Sequence, residues 1–110
     1  MTTLAEPKRG EVWLAQLDKV RPVVILTRDP MGRYLGSVII APVTSTIRGL
    51  STEVLLTAED GIKTPSVANT DNTQLVDRTA LQRRIGSVGP TVMQQICDAL
   101  HIAVGCGPKR

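Results

Sequence analysis

Three short polar stretches carry the side chains best suited to chemistry. In DKVRPVVILTRD (18–29), Arg21 precedes Pro22 and opens an aliphatic run. Proline confines the residue before it to extended backbone, so this guanidinium is presented from a restricted stem. A planar guanidinium gives two parallel N–H bonds to phosphate oxygens and loses less entropy in doing so than a mobile lysine. TSTIRG (44–49) offers the hydroxyls of Thr44, Ser45 and Thr46, then Arg48. ANTDNT (68–73) places Asn69, Asp71 and Asn72 where a buried strand would continue with Val or Ile. Taken singly, each stretch is also what turns are made of. Taken together, they are the guanidinium, hydroxyl and amide groups that grip a phosphodiester.

Other chemistries lack their parts. The single histidine, His101, follows Cys97 by four residues in a helical pattern. Two ligands do not make a zinc site, which needs three or four, so no metal and no cofactor is expected. No Gly-rich loop followed by Lys and no dinucleotide fingerprint is present, and a lone helical histidine does not serve a nucleophilic triad. Aromatic residues make up 2% of the chain, only Trp13 and Tyr34, too few for a stacking platform for single strands. Any nucleic acid must therefore be held through polar groups, with binding that weakens in salt as arginines meet phosphates.

The elements that position these groups are mostly strands. The chain has 110 residues, 42% hydrophobic and 21% charged, with a net charge of +3. That suits one domain, 1–110, with a core from about 8 to 105 and short flexible ends at 1–7 and 106–110. No apolar run resembles a signal peptide or is long enough to span a bilayer, so a cytoplasmic protein is expected, with Cys97 and Cys106 as free thiols rather than a disulfide. Strands are predicted at 11–17, 22–27, 37–44, 52–56, 66–77 and 83–89. Pro42 should mark a bulge or an edge in the third. From Pro90, the positions Met93, Ile96, Cys97, Leu100, Ala103 and Val104 form the stripe of an amphipathic helix ended by Gly105. A run of strands closed by one late helix points to a mainly β fold, a small bent antiparallel sheet or barrel.

The order of motifs adds a resemblance. GEVW (10–13), RPVVI (21–25), APVT (41–44), the polar NTDN (69–72), LVDRTALQRRIG (75–86) and the final helix stand in one register. From about Lys8 to Gly105 the chain resembles the MazF/PemK-like toxins of bacterial toxin–antitoxin pairs. That resemblance implies a small SH3-like barrel of the CcdB/MazF type, working as a homodimer. It implies a metal-independent, sequence-specific endoribonuclease that cleaves single-stranded RNA to 2′,3′-cyclic phosphate and 5′-hydroxyl ends. Arg21 and Thr44 fall on the family's two catalytic positions, and Asp71 and Asn72 on an acid–amide pair that contacts bases. Asp71 is then the candidate general base, with Ser45, Thr46, Arg48, Asn69 and Asn72 as RNA contacts and Lys63 as a possible extension of the anionic track. The implied partner is an antitoxin whose disordered acidic C-terminal segment lies in the RNA groove. Two departures stand out: only Asp18, Lys19 and Val20 separate the first two strands, where the family has a long loop, and Asn69 stands where one branch has a second arginine. The alternative is a non-catalytic, CcdB-like inhibitor of DNA gyrase. That family acts through a Trp-Gly-Ile-type C-terminus, whereas this chain ends HIAVGCGPKR.

Overall fold

The computed structural model describes residues 5–105. Seven strands precede one helix: β1 Glu11–Gln16, β2 Val20–Ile25, β3 Ser37–Thr44, β4 Glu53–Leu56, β5 Ser66–Asn69, β6 Gln74–Asp77, β7 Leu81–Ser87 and α1 Pro90–Ala103. The sheet runs β4-β5-β3-β2-β1-β7, with β6 added beside β3. All its pairings are antiparallel. This is the expected antiparallel sheet closed off by one late helix; its hydrogen-bond ladder ends at β4 and β7 among the described residues and does not close into a barrel.

The unbroken aliphatic run Val23-Val24-Ile25 is explained by burial on both faces of β2. Val24 joins a cluster with Val12, Ala41, Leu56, Ile96 and Ala99, whereas Val23 and Ile25 join Ala15, Val38, Ile40 and Leu81. Strands covered on both sides lose the alternation that a half-exposed strand shows. In β1 the pairing with β7 shifts at Val12/Trp13 and again at Leu14/Ala15. Val12 packs into the first cluster and Ala15 into the second, so β1, like β2, is covered on both faces.

Pro42 lies inside β3 and pairs with Val23 of β2. On the other flank, β6 accompanies Ser37 to Ile40 and β5 takes over at Val43 and Thr44. The proline, which has no N–H to give, thus falls in the gap between two partners. The segment predicted as one strand at 66–77 is in fact β5, a 3-10 turn at Thr70–Asn72, and β6. The Asn69 side chain caps that turn by accepting from the Asp71 N–H at 3.0 Å. The polar interruption therefore carries the chain from one neighbour of β3 to the other.

The helix begins with Pro90 at its first position, and Gly105 lies just beyond it at φ +71°. Ile96 and Ala99 are buried, and Met93 and Leu100 pack against the first cluster, but Val104 faces solvent. The lead-in differs from expectation. Pro7 is fully buried, and the Ala5 carbonyl accepts from the Arg78 guanidinium, so residues 5–7 are docked rather than free. The rest of the two predicted flexible ends, 1–4 and 106–110 with Cys106, lies outside the described residues.

Candidate active site

Four segments converge on one open groove of about 740 Å³: the β1–β2 turn, the end of β3, the loop into β4, and the turn between β5 and β6. Arg21, Thr44, Thr46, Arg48, Asn69, Asp71 and Asn72 all line it. Ser45 and Lys63 are exposed but are not part of its lining.

Arg21 is held by more than its proline. Its Nε donates to Asp18 Oδ1 at 2.9 Å and its Nη2 to Asp18 Oδ2 at 3.1 Å, a side-on bidentate pair across the tight β1–β2 turn. This pair holds the Asp18 carboxyl well below the usual carboxylate range, at about 2, with help from the Lys19 N–H. It also raises the Arg21 pKa, so the guanidinium stays charged. A guanidinium carries five N–H donors. Two are engaged, and the remaining edge is free for an anion.

The other groups are oriented by short-range bonds. Thr44 Oγ1 accepts from the Thr46 N–H at 3.1 Å, which leaves its own proton to donate. Asp71 Oδ2 accepts from the buried Thr52 hydroxyl at 2.6 Å, and Thr52 in turn gives its carbonyl to the Thr70 hydroxyl. Asn69 spends its carbonyl oxygen on the turn cap, leaving its amino group unspent. Three residues that sequence reasoning passed over belong to this construction: Asp18, Thr52 and Glu53. Asp18 could have been found by its i,i+3 spacing to Arg21. Thr52 and Glu53 gave no signal, since they read as ordinary strand residues.

Several motif residues turn out to build the frame. Glu11 of GEVW accepts from the Lys8 N–H, the Trp13 indole and Arg84 at 2.8, 3.1 and 2.9 Å. Arg78 is buried and donates to the carbonyls of Ala5, Arg33 and Leu35. Asp77 caps the turn at Arg78–Ala80. Cys97 accepts from the Arg9 guanidinium at 2.9 Å and His101 is exposed. Among the described residues, no three of His, Cys, Asp and Glu gather as metal ligands would.

Residues 8–104 match the family described as PemK-like, MazF-like toxin of type II toxin-antitoxin system. The chain belongs to this family. Endoribonuclease MazF3 of Mycobacterium tuberculosis is 49% identical over 95 residues, spanning 83% of this chain and 92% of that protein. Probable endoribonuclease MazF2 of the same organism is 40% identical over 101 residues, spanning 90% and 99%. Among solved structures, Mycobacterium tuberculosis toxin MazF-mt6 superimposes with a TM-score of 0.83 at 41% identity, over 86% of this chain and 95% of that one. An endoribonuclease in complex with its cognate antitoxin, from a mycobacterial species, gives a TM-score of 0.84 at 29% identity, over 94% and 99%. As a PemK/MazF-like chain, this protein keeps its frame in GEVW and the Val76-Asp77-Arg78 segment. Its candidate site residues stand at strand ends, as Arg21, Thr44 and Asn69 do, and in the turns and loops that follow, as Thr46, Arg48, Asp71 and Asn72 do.

Proposed function

We propose that the protein is the toxin of a type II toxin–antitoxin pair, a sequence-specific endoribonuclease that cuts single-stranded RNA without a metal. The observation that carries this reading is the Asp18-braced Arg21 guanidinium, which shares a groove with the Thr44 hydroxyl and the Asp71 carboxylate. The 2′-oxygen of one nucleotide attacks the adjacent phosphorus, its proton passing to Asp71. The bond to the 5′-oxygen breaks, leaving a 2′,3′-cyclic phosphate and, after that oxygen takes a proton from water, a 5′-hydroxyl. Arg21 and Thr44 donate to the non-bridging oxygens as charge builds on them. Arg21 is not the acid, because pairing with Asp18 makes its proton still harder to lose. In this reading Asn69, Asn72 and Thr46, which line the groove, meet bases or sugar, and Arg48 meets a second phosphate.

The same reading makes the protein a cytoplasmic homodimer with a small SH3-like barrel of the CcdB/MazF type. Its partner is a cognate antitoxin, as in the mycobacterial complex, whose acidic segment competes for the two arginines. The gyrase-inhibitor alternative has no observation in its favour. Incubation with a long single-stranded RNA in EDTA tests the reading, with discrete 5′-hydroxyl fragments expected. Arg21→Ala should lower kcat by about 10²–10³, the loss typical of one removed oxyanion donor. Intact RNA with the unaltered protein, or full activity in Arg21→Ala, would overturn it.

A further inference from the structure

The loop that leaves Thr44 and returns to β4 is closed by one carboxylate. The N–H groups of Arg48, Gly49 and Leu50 all donate to Glu53 Oε1, at 3.0, 2.9 and 3.2 Å. The Glu53 N–H donates back to the Leu50 carbonyl at 3.0 Å. Gly49 lies at φ +75°, the left-handed conformation that turns successive N–H groups toward a common point. Bonds from N–H to an ionised acceptor are roughly twice as strong as neutral ones, so three on one oxygen make this the firmest point of an otherwise exposed loop. Arg48 and Glu53 both line the groove. The Arg48 side chain has no hydrogen-bond partner among the described residues, so its place there is set by its backbone.

Resting on the ribonuclease reading above, we propose that Glu53 is a positioning residue for substrate binding. By gathering three consecutive amides it fixes the backbone at 48–50 and so aims the Arg48 guanidinium at a phosphate of the bound strand, away from the scissile one. Glu53 itself donates nothing to RNA; it acts through Arg48.

The test compares Glu53→Ala, Glu53→Gln, Arg48→Ala and the Glu53→Ala/Arg48→Ala double variant, with RNA cleavage and amide hydrogen exchange as readouts. Glu53→Ala should speed exchange at 48–50 and raise KM roughly tenfold, about the value of one charge-assisted contact. It should leave kcat within about twofold, because the lost contact is made equally in ground and transition states. The slope of log affinity against log salt should fall by about 0.7, the single-strand value for one phosphate. Glu53→Gln, which keeps an acceptor oxygen, should recover most of the loss. The double variant should be no worse than Arg48→Ala, because both changes remove one interaction. Additive losses in the double variant overturn the inference, as does an unchanged KM in Glu53→Ala or unchanged exchange at 48–50. RNA left intact by the unaltered protein is a separate outcome, which removes the ribonuclease reading and this inference with it.

Discussion

At the residue scale, Arg21 is half-buried yet open to the groove, and Asp18 is what restrains it. The side-on pair anchors one edge of the guanidinium while adding a negative charge to a site meant for an anion. Asp18→Asn should therefore split two quantities: kcat falls because Arg21 loses its anchor, while RNA affinity rises because one carboxylate leaves the groove. A steady-state KM and kcat measurement decides this, and a fall in both affinity and kcat would contradict it. The pH dependence follows from the sign of the shift. Asp18 is depressed to about 2, so whatever the ion pair contributes is complete above the normal carboxylate range and is lost only as pH falls toward 2. The NMR shift of Arg21 Nε should stay constant from pH 7 to about 4 and move below about 3. Thr52 plays the matching part for Asp71. Thr52→Val keeps the shape but removes the 2.6 Å bond, and a fall in stability of about 1.5–3 kcal/mol is expected in a urea titration, the range for a bond to a charged group.

At the scale of elements, the frame tolerates little change where β7 crosses the turn after β4. Gly61 lies at φ +92° just past the 3-10 turn Ala58–Asp60, and a Cβ at Gly86 would collide with the Asp60 carbonyl. Gly86→Ala should cost about 1–3 kcal/mol in thermal or urea unfolding, the usual penalty of overpacking. Cleavage by the surviving folded protein should be unchanged, since Gly86 does not line the groove. Such close approaches explain what the sequence could and could not reveal. The strands around Val24 and Ile40, and the helix from Pro90, were legible because hydrophobic runs, a proline and a terminal glycine are local signals. Arg21, Thr44 and the 69–72 turn were legible because polar residues broke aliphatic runs. The double role of 66–77 was not, since only the two successive partners of β3 reveal it. Nor were Thr52 and Glu53 legible. The Thr52 bond to Asp71 spans 19 positions, and Glu53 acts by its carboxylate's direction, which the strand pattern TEVLL conceals.

At the scale of the whole molecule, the net charge of +3 is a poor guide to the groove. The charged groups that line it are two arginines, Arg21 and Arg48, and three carboxylates, Asp18, Glu53 and Asp71. Each carboxylate is held by a donor of the protein itself: Asp18 by Arg21, Glu53 by three amides and Asp71 by Thr52. The positive excess therefore sits elsewhere, on exposed residues such as Arg28, Arg33, Lys63 and Arg83. An RNA strand entering this groove gains short, directed bonds rather than a broad attractive field. The salt dependence expected from the sequence should then be shallow. With two phosphate contacts, log affinity should fall with log salt at a slope of only about −1.4. Fluorescence anisotropy of a labelled single-stranded RNA with Arg21→Ala, titrated across a range of KCl concentrations, should show about half that slope, because one of the two contacts is gone. A slope steeper than about −3 in the unaltered protein would move the binding energy out of the groove and onto those surface arginines.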